Sequence, residues 1–139
     1  MGGSANEIVY KSPGGSRVYW DAKTKCVVLE SSPRVSGQEL RNTLEKTLQL
    51  VAEKKSLKIL AILVTLEKLE PEDLLWTETD WFPRAMKAGV KYISLAMPKS
   101  LTAHMSMDKL AESLDPKQKG YERRFFDNAE AAREWLSKK

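Results

Sequence analysis

The chain has 139 residues, 42% of them hydrophobic and 30% charged, with a formal net charge of +4 at pH 7. That length can bury roughly two thirds of the unfolded surface in one core without disulfides or metals. No apolar run nears the ~20 residues that span a bilayer, so membrane insertion is excluded.

One cysteine, Cys26, allows no internal disulfide, and with one histidine, His104, it is too small a set for a structural zinc site. A cytoplasmic protein without metal or cofactor is the expectation. The start "MGGSANEIVY" lacks the basic and apolar regions of a signal peptide, and residues 1–7 read as flexible. Lysines and arginines alternate with acids in "EKTLQLVAEKK" and "KLAESLDPKQK", as on solvated helix faces. Nucleic acid calls for a one-sided basic stripe, so it is not an expected partner.

In chain order, "SRVYWDAKTKCVVLES" holds two apolar runs around a polar turn, the pattern of a hairpin or two successive strands. Ser36 and Glu39 have capping-box spacing, and Leu40, Leu44, Leu48 and Val51 recur at helical intervals. "LKILAILVTL" is apolar on both sides, as a central parallel strand is. Pro71 starts the next helix, with Glu72 and Asp73 in its first turn and Gly89 as the stop. Pro83 fits only near the start of a second helical piece, capped by Thr79 or Asp80. "VKYISLAMP" reads as another buried strand, and "LTAHMSMDKLAESL" as a helix from about Thr102 or Ala103. "GYERRFFD" reads as a polar edge strand, and Asp127 with Glu130 opens an amphipathic last helix. The order gives one α/β domain over 1–139: about five strands, mostly parallel, with helices on both faces. Ligands of such sheets bind outside the carboxyl ends of the strands, here "ESSPR", "VTLEKLEP", "AMPKSLTAH" and "FDN".

"VYWDAKTKCVVLE", "EDLLWTETDWFPRAMKAGVKYISLAMPKS" and "AREWLSKK" resemble the bacterial SpoIIAA-like domains grouped with STAS and CRAL-TRIO-like folds. The likeness covers nearly the whole chain and is most specific in "TDWFPRAMKAG" followed by "MPKS". It implies a single SpoIIAA-like α/β domain and a binding or regulatory role, but no defined activity. The departures gather at one edge. Ile62, Val64 and Thr65 stand where the family pattern has polar residues, as do Leu74 and Leu75. Ser31 and Ser32 replace an aromatic, and His104 replaces a smaller or different polar residue. Together these changes imply an enlarged apolar pocket on a family scaffold, as in an engineered small-molecule site.

His104 falls in the first helical turn, where the helix dipole favours the neutral imidazole that a general base needs. Ser31 or Ser32 is the candidate nucleophile, Glu67 or Glu70 the candidate orienting acid, and Glu67 an alternative lone base. Ile62, Val64, Thr65, Leu74, Leu75 and Trp76 are the expected substrate-binding wall. Cys26 reads as buried and inert, and Trp81 and Phe82 mainly as packing residues. Two functions are compatible with this pattern: a designed hydrolase of an activated apolar ester, or a non-catalytic module binding a small apolar ligand or a protein partner, with His104 incidental. Either admits a homo-oligomer.

Overall fold

The computed structural model describes residues 8–113, 117–118 and 120–139; the flexibility expected of residues 1–7 lies outside them. Its sheet has the order β1-β2-β3-β4-β5-β7-β6, six strands of four residues or more and a two-residue seventh. The strands are β1 (Ile8–Lys11), β2 (Arg17–Asp21), β3 (Cys26–Glu30), β4 (Lys58–Ile62), β5 (Tyr92–Ala96), β6 (Lys117–Gln118) and β7 (Tyr121–Phe126). The helices are α1 (Gly37–Lys54), α2 (Pro71–Trp76), α3 (Phe82–Lys87), α4 (Leu101–Ser113) and α5 (Ala129–Ser137).

β3, β4, β5 and β7 run parallel, whereas β1, β2 and β6 pair antiparallel with their neighbours. The sheet is therefore mixed, where five mostly parallel strands were expected. The excess comes from β1 and β6, both too short to stand out as apolar runs. The parallel strands step in one direction across the sheet, so crossovers of one hand put their helices on one face. Leu44 and Leu50 of α1, Phe82 and Ala85 of α3 and Met107 of α4 accordingly share one core cluster with Ile59, Ile93 and Leu95 of the strands. Among the described residues only α5, which comes after the last parallel strand, covers the other face, through Ala132 and Leu136 against Cys26, Val28, Leu60 and Ala96.

Three expected caps are built differently. Ser36 is the N-cap of α1 but makes no side-chain capping bond. Gly37, at φ +56°, instead donates its N–H to buried Asp73 of α2 at 3.0 Å. Glu39 turns away to bind Ser12 Oγ at 2.5 Å and the Gly14 N–H at 2.7 Å, which fastens the β1–β2 loop to α1. At α5 the cap is Asn128, one residue after the expected Asp127, accepting from the Ala131 N–H at 2.8 Å.

The helix from Pro71 does not stop before Pro83. It widens into a π-helical turn, Thr77–Trp81, in which the Phe82 N–H reaches back five residues to Thr77 O. Neither Thr79 nor Asp80 acts as a cap. Thr79 Oγ1 donates to Leu75 O at 2.7 Å, and Asp80 pairs with Arg84 at 2.9 Å. The wider turn absorbs the N–H that Pro83 lacks, so the chain stays helical up to Gly89, whose φ of +107° ends α3.

Candidate functional site

The expected wall rests on the parity of β4, since successive side chains of a strand face opposite sides of its sheet. Ile59, Ala61 and, just beyond the strand, Leu63 point toward α1, together with Leu29, Ile93 and Leu95 of the neighbouring strands. Between these residues and the inner sides of α1, α2 and the π turn lies a cavity of about 120 Å³. Ile62 and Val64, expected to line it, have the other parity and pack with the cluster beneath α5. Leu74 does line the cavity, whereas Leu75 is 62% exposed. Thr65 is exposed and donates to Ser31 O at 3.0 Å. Trp76 packs on the outside of the same core, its ring 5.0 Å from the Arg41 guanidinium and 5.9 Å from that of Arg84.

The π turn contributes part of the polar wall. Thr77, Glu78 and Trp81 all face the cavity, and Glu78 holds Arg123 of β7 by two hydrogen bonds of 3.0 Å. The Arg123 side chain is only 6% exposed, with its guanidinium 4.0 Å from the centre of the Phe82 ring. A bidentate carboxylate and an aromatic face together compensate much of the desolvation of so deeply buried a cation. Trp81 donates its indole N–H to Leu44 O at 2.8 Å, which pins the turn to α1.

Most other polar groups lining the cavity are already paired. Thr43 Oγ1 donates to Glu39 O and Thr77 Oγ1 to Asp73 O, each at 2.8 Å within its own helical segment. Ser16 Oγ donates to Ser32 Oγ at 3.0 Å and accepts the Ser32 N–H at 2.8 Å, which commits Ser32 to the β1–β2 loop. Ser31 differs. The residue lines the cavity, but its hydroxyl oxygen is buried and has no hydrogen-bond partner among the described residues. No protein-family model, curated protein or solved structure matches this chain.

His104 occupies the first turn of α4, its N–H donating to Ser100 O at 2.8 Å. Its imidazole Nδ1 lies 3.0 Å from Asp108 of the same helix, on a side chain 35% exposed, and it does not line the cavity. Among the described residues neither Ser31 nor Ser32 hydrogen-bonds to it. Glu67 is exposed and pairs with Arg34 at 3.1 Å, and Glu70 pairs with Lys68 at 3.5 Å, so neither orients the imidazole. Cys26 lies under α5, where burial, reinforced by nearby Asp21, pushes its thiol up to about 12. A thiol held protonated in that way is a poor nucleophile.

The expected residues thus do not converge on one site. Ser31 and Leu74 meet in the cavity, Ile62 and Val64 lie across the sheet, and His104 pairs with Asp108 on α4. Sequence reasoning missed Arg123 and Glu78, because "GYERRFFD" looks solvated and the two partners stand 45 residues apart. Among the described residues no group of three or more His, Cys, Asp or Glu side chains is placed to hold a metal. No helix there is long and apolar enough to cross a membrane.

Proposed function

We propose that this chain is a binding module for a small apolar molecule, held in the cavity between the sheet and α1, α2 and the π turn. The carrying observation is that cavity itself. It is about 120 Å³ in volume, walled by Leu, Ile, Val, Ala and aromatic side chains, and its charged wall groups are already paired. A pocket so largely apolar offers a small apolar molecule burial from water and little else to bind. An apolar cavity of about 150 Å³ is known to admit benzene, which sets the scale of the ligand. The likeness of "TDWFPRAMKAG" and "MPKS" to SpoIIAA-like domains, many of whose relatives bind or regulate, supports the same reading.

The test is thermal unfolding with increasing toluene, for the protein and for Ala61→Leu, which adds bulk from the cavity floor. A ligand at about 100 times its dissociation constant stabilises by about 2.7 kcal/mol, enough to raise the midpoint by several degrees. The rise should be absent in Ala61→Leu. Equal behaviour of the two proteins would refute the proposal.

Ester hydrolysis is the second reading, and one observation favours it: Asp108 holds Nδ1 of His104, as an orienting carboxylate does for a general base. It still requires a nucleophile near that imidazole. Hydrolysis of an activated aryl ester by the protein and by His104→Ala checks it, and equal rates would end it.

A further inference from the structure

On the face beneath α5, across the sheet from the cavity, two aromatic rings gather around one cation. We propose that Tyr92 and Trp135 form a binding corner for a methylated ammonium group, and that Lys139 of the same chain occupies it until such a guest displaces it. The site is independent of the cavity and of what the cavity binds.

Tyr92 opens β5 and Trp135 lies on α5, both half-buried against the same cluster. Their rings meet edge to face, with centres 6.2 Å apart and planes at 77°, as two walls of a corner do. The Lys139 ammonium lies 4.8 Å from the centre of the Trp135 ring and 5.7 Å from that of Tyr92. Both distances are within the ~6 Å reach of the attraction between a cation and a ring face. Among the described residues no other cation meets two rings. Phe126, its ring centre 6.0 Å from that of Trp135, extends the aromatic row. Arg124 also approaches Trp135, at 5.8 Å, but Glu122 accepts from its Nε at 2.7 Å, which ties it down and offsets its charge.

The resident lysine is a weak occupant. Lys139 is exposed, and its ammonium is a compact, strongly hydrated charge that gains little from rings at a wet site. That ammonium makes no ion pair among the described residues, so the side chain can swing away without breaking one. A trimethylammonium group spreads the same charge over its methyls, holds water loosely, and covers apolar ring surface as it binds. It therefore gains more from the corner than the lysine does. Choline-type small molecules and trimethylated lysine side chains both present this group.

The experiment follows the Trp135 indole N–H signal by NMR, assigned by its loss in Trp135→Phe, while ligands are added to the full chain. The ligands are choline, acetylated trimethyllysine amide and tert-butylethanol, the neutral carbon isostere of choline. Because the signal reports from beneath α5, uptake of the alcohol by the cavity on the other face is not mistaken for binding here. Both cations should shift the signal saturably. The alcohol should bind at least about fivefold more weakly, the factor that about 1 kcal/mol of cation–π attraction supplies. Lys139→Gln should tighten choline about threefold by removing the resident cation, and Tyr92→Leu should weaken it about fivefold. Tighter binding of choline names a free small molecule as the guest, and tighter binding of trimethyllysine a modified protein side chain. Equal affinity for choline and the alcohol would overturn the site, as would the lack of a saturable shift with either cation in both the unmodified chain and Lys139→Gln. An unchanged choline affinity in Lys139→Gln would overturn the role of Lys139. The comparison of choline with the alcohol in the unmodified chain decides the matter even if Tyr92→Leu does not fold.

Discussion

The two faces of this sheet are made by the same strands and filled differently. Beneath α5, Val28, Leu60, Ala96, Ala132 and Leu136 are each 0% exposed, and small residues let the helix lie close to the strands. Beneath α1 and the π turn the side chains are larger on average, yet they leave a cavity and enclose an ion pair. The difference teaches that the second layer is set back from the sheet. The π turn and the bulky Trp81 and Phe82 belong to that layer, and the cavity lies against them. The proposed binding function would use the looser face.

The largest test of that contrast is truncation. Leu136→Ala under α5 should destabilise by about 3 kcal/mol, because a fully buried leucine in a close-packed layer leaves a hole that does not collapse. Leu74→Ala, at a half-buried position beside the cavity, should cost about 1 kcal/mol, since fewer contacts are lost. Urea denaturation of both variants gives the two values, and equal losses would erase the distinction.

Enlarging side chains reverses the comparison. Ala132→Leu should overpack the α5 face and cost about 2 kcal/mol. Ala61→Leu should cost about 0.5 kcal/mol or less, because its added carbons enter existing space. The same denaturation series reads both.

Alkaline pH sharpens the contrast further. Cys26 and Tyr19, both under α5, hold their protons to about 12 against ordinary values of 9.0 and 10.0. Burial is the leading cause for each, with Asp21 assisting at the thiol and a hydrogen bond to Glu30 at the phenol. Above about pH 9 the unfolded chain binds fewer protons than the folded one, so stability is fully present below that value and falls as pH rises toward 12. Between pH 9 and 10.5 the loss should be on the order of 2 kcal/mol, and Cys26→Ala should reduce its slope. The smallest effect is expected at His104, where Ala should change stability by about 0.5 kcal/mol or less, as for other exposed pairs within one helix.

Much of the layering was legible in the sequence. Period 3.6 in α1 and unbroken apolar runs in β4 and β5 are strong signals, and the chain folds on them. The site was less legible for a specific reason. A strand buried on both faces has no polar alternation, so nothing in "LKILAILVTL" tells Ala61 from Ile62 as the residue facing the cavity. The choice of Ile62 and Val64 therefore fell on the wrong parity, while Leu74 and Ser31 lie outside strands and were not subject to it. Arg123 was hidden by its charge, since its burial depends on Glu78 across the fold. Ser36 with Glu39 had the spacing of a capping box, but Ser12 and Gly14 offered Glu39 a better geometry.

The π turn at Thr77–Trp81 also bears on how the chain tolerates changes of length. A π turn is an α-helix carrying one surplus residue, so removing one residue between Thr77 and Asp80 would restore regular winding. The flanking helices would keep their phase, but with Thr79 removed Glu78 and Trp81 would stand two residues apart, about 200° around the helix. Glu78 and Trp81 could no longer face the same space, and Arg123 would lose its carboxylate. A change of one codon, with no apolar side chain altered, would trade the cavity for an ordinary helix.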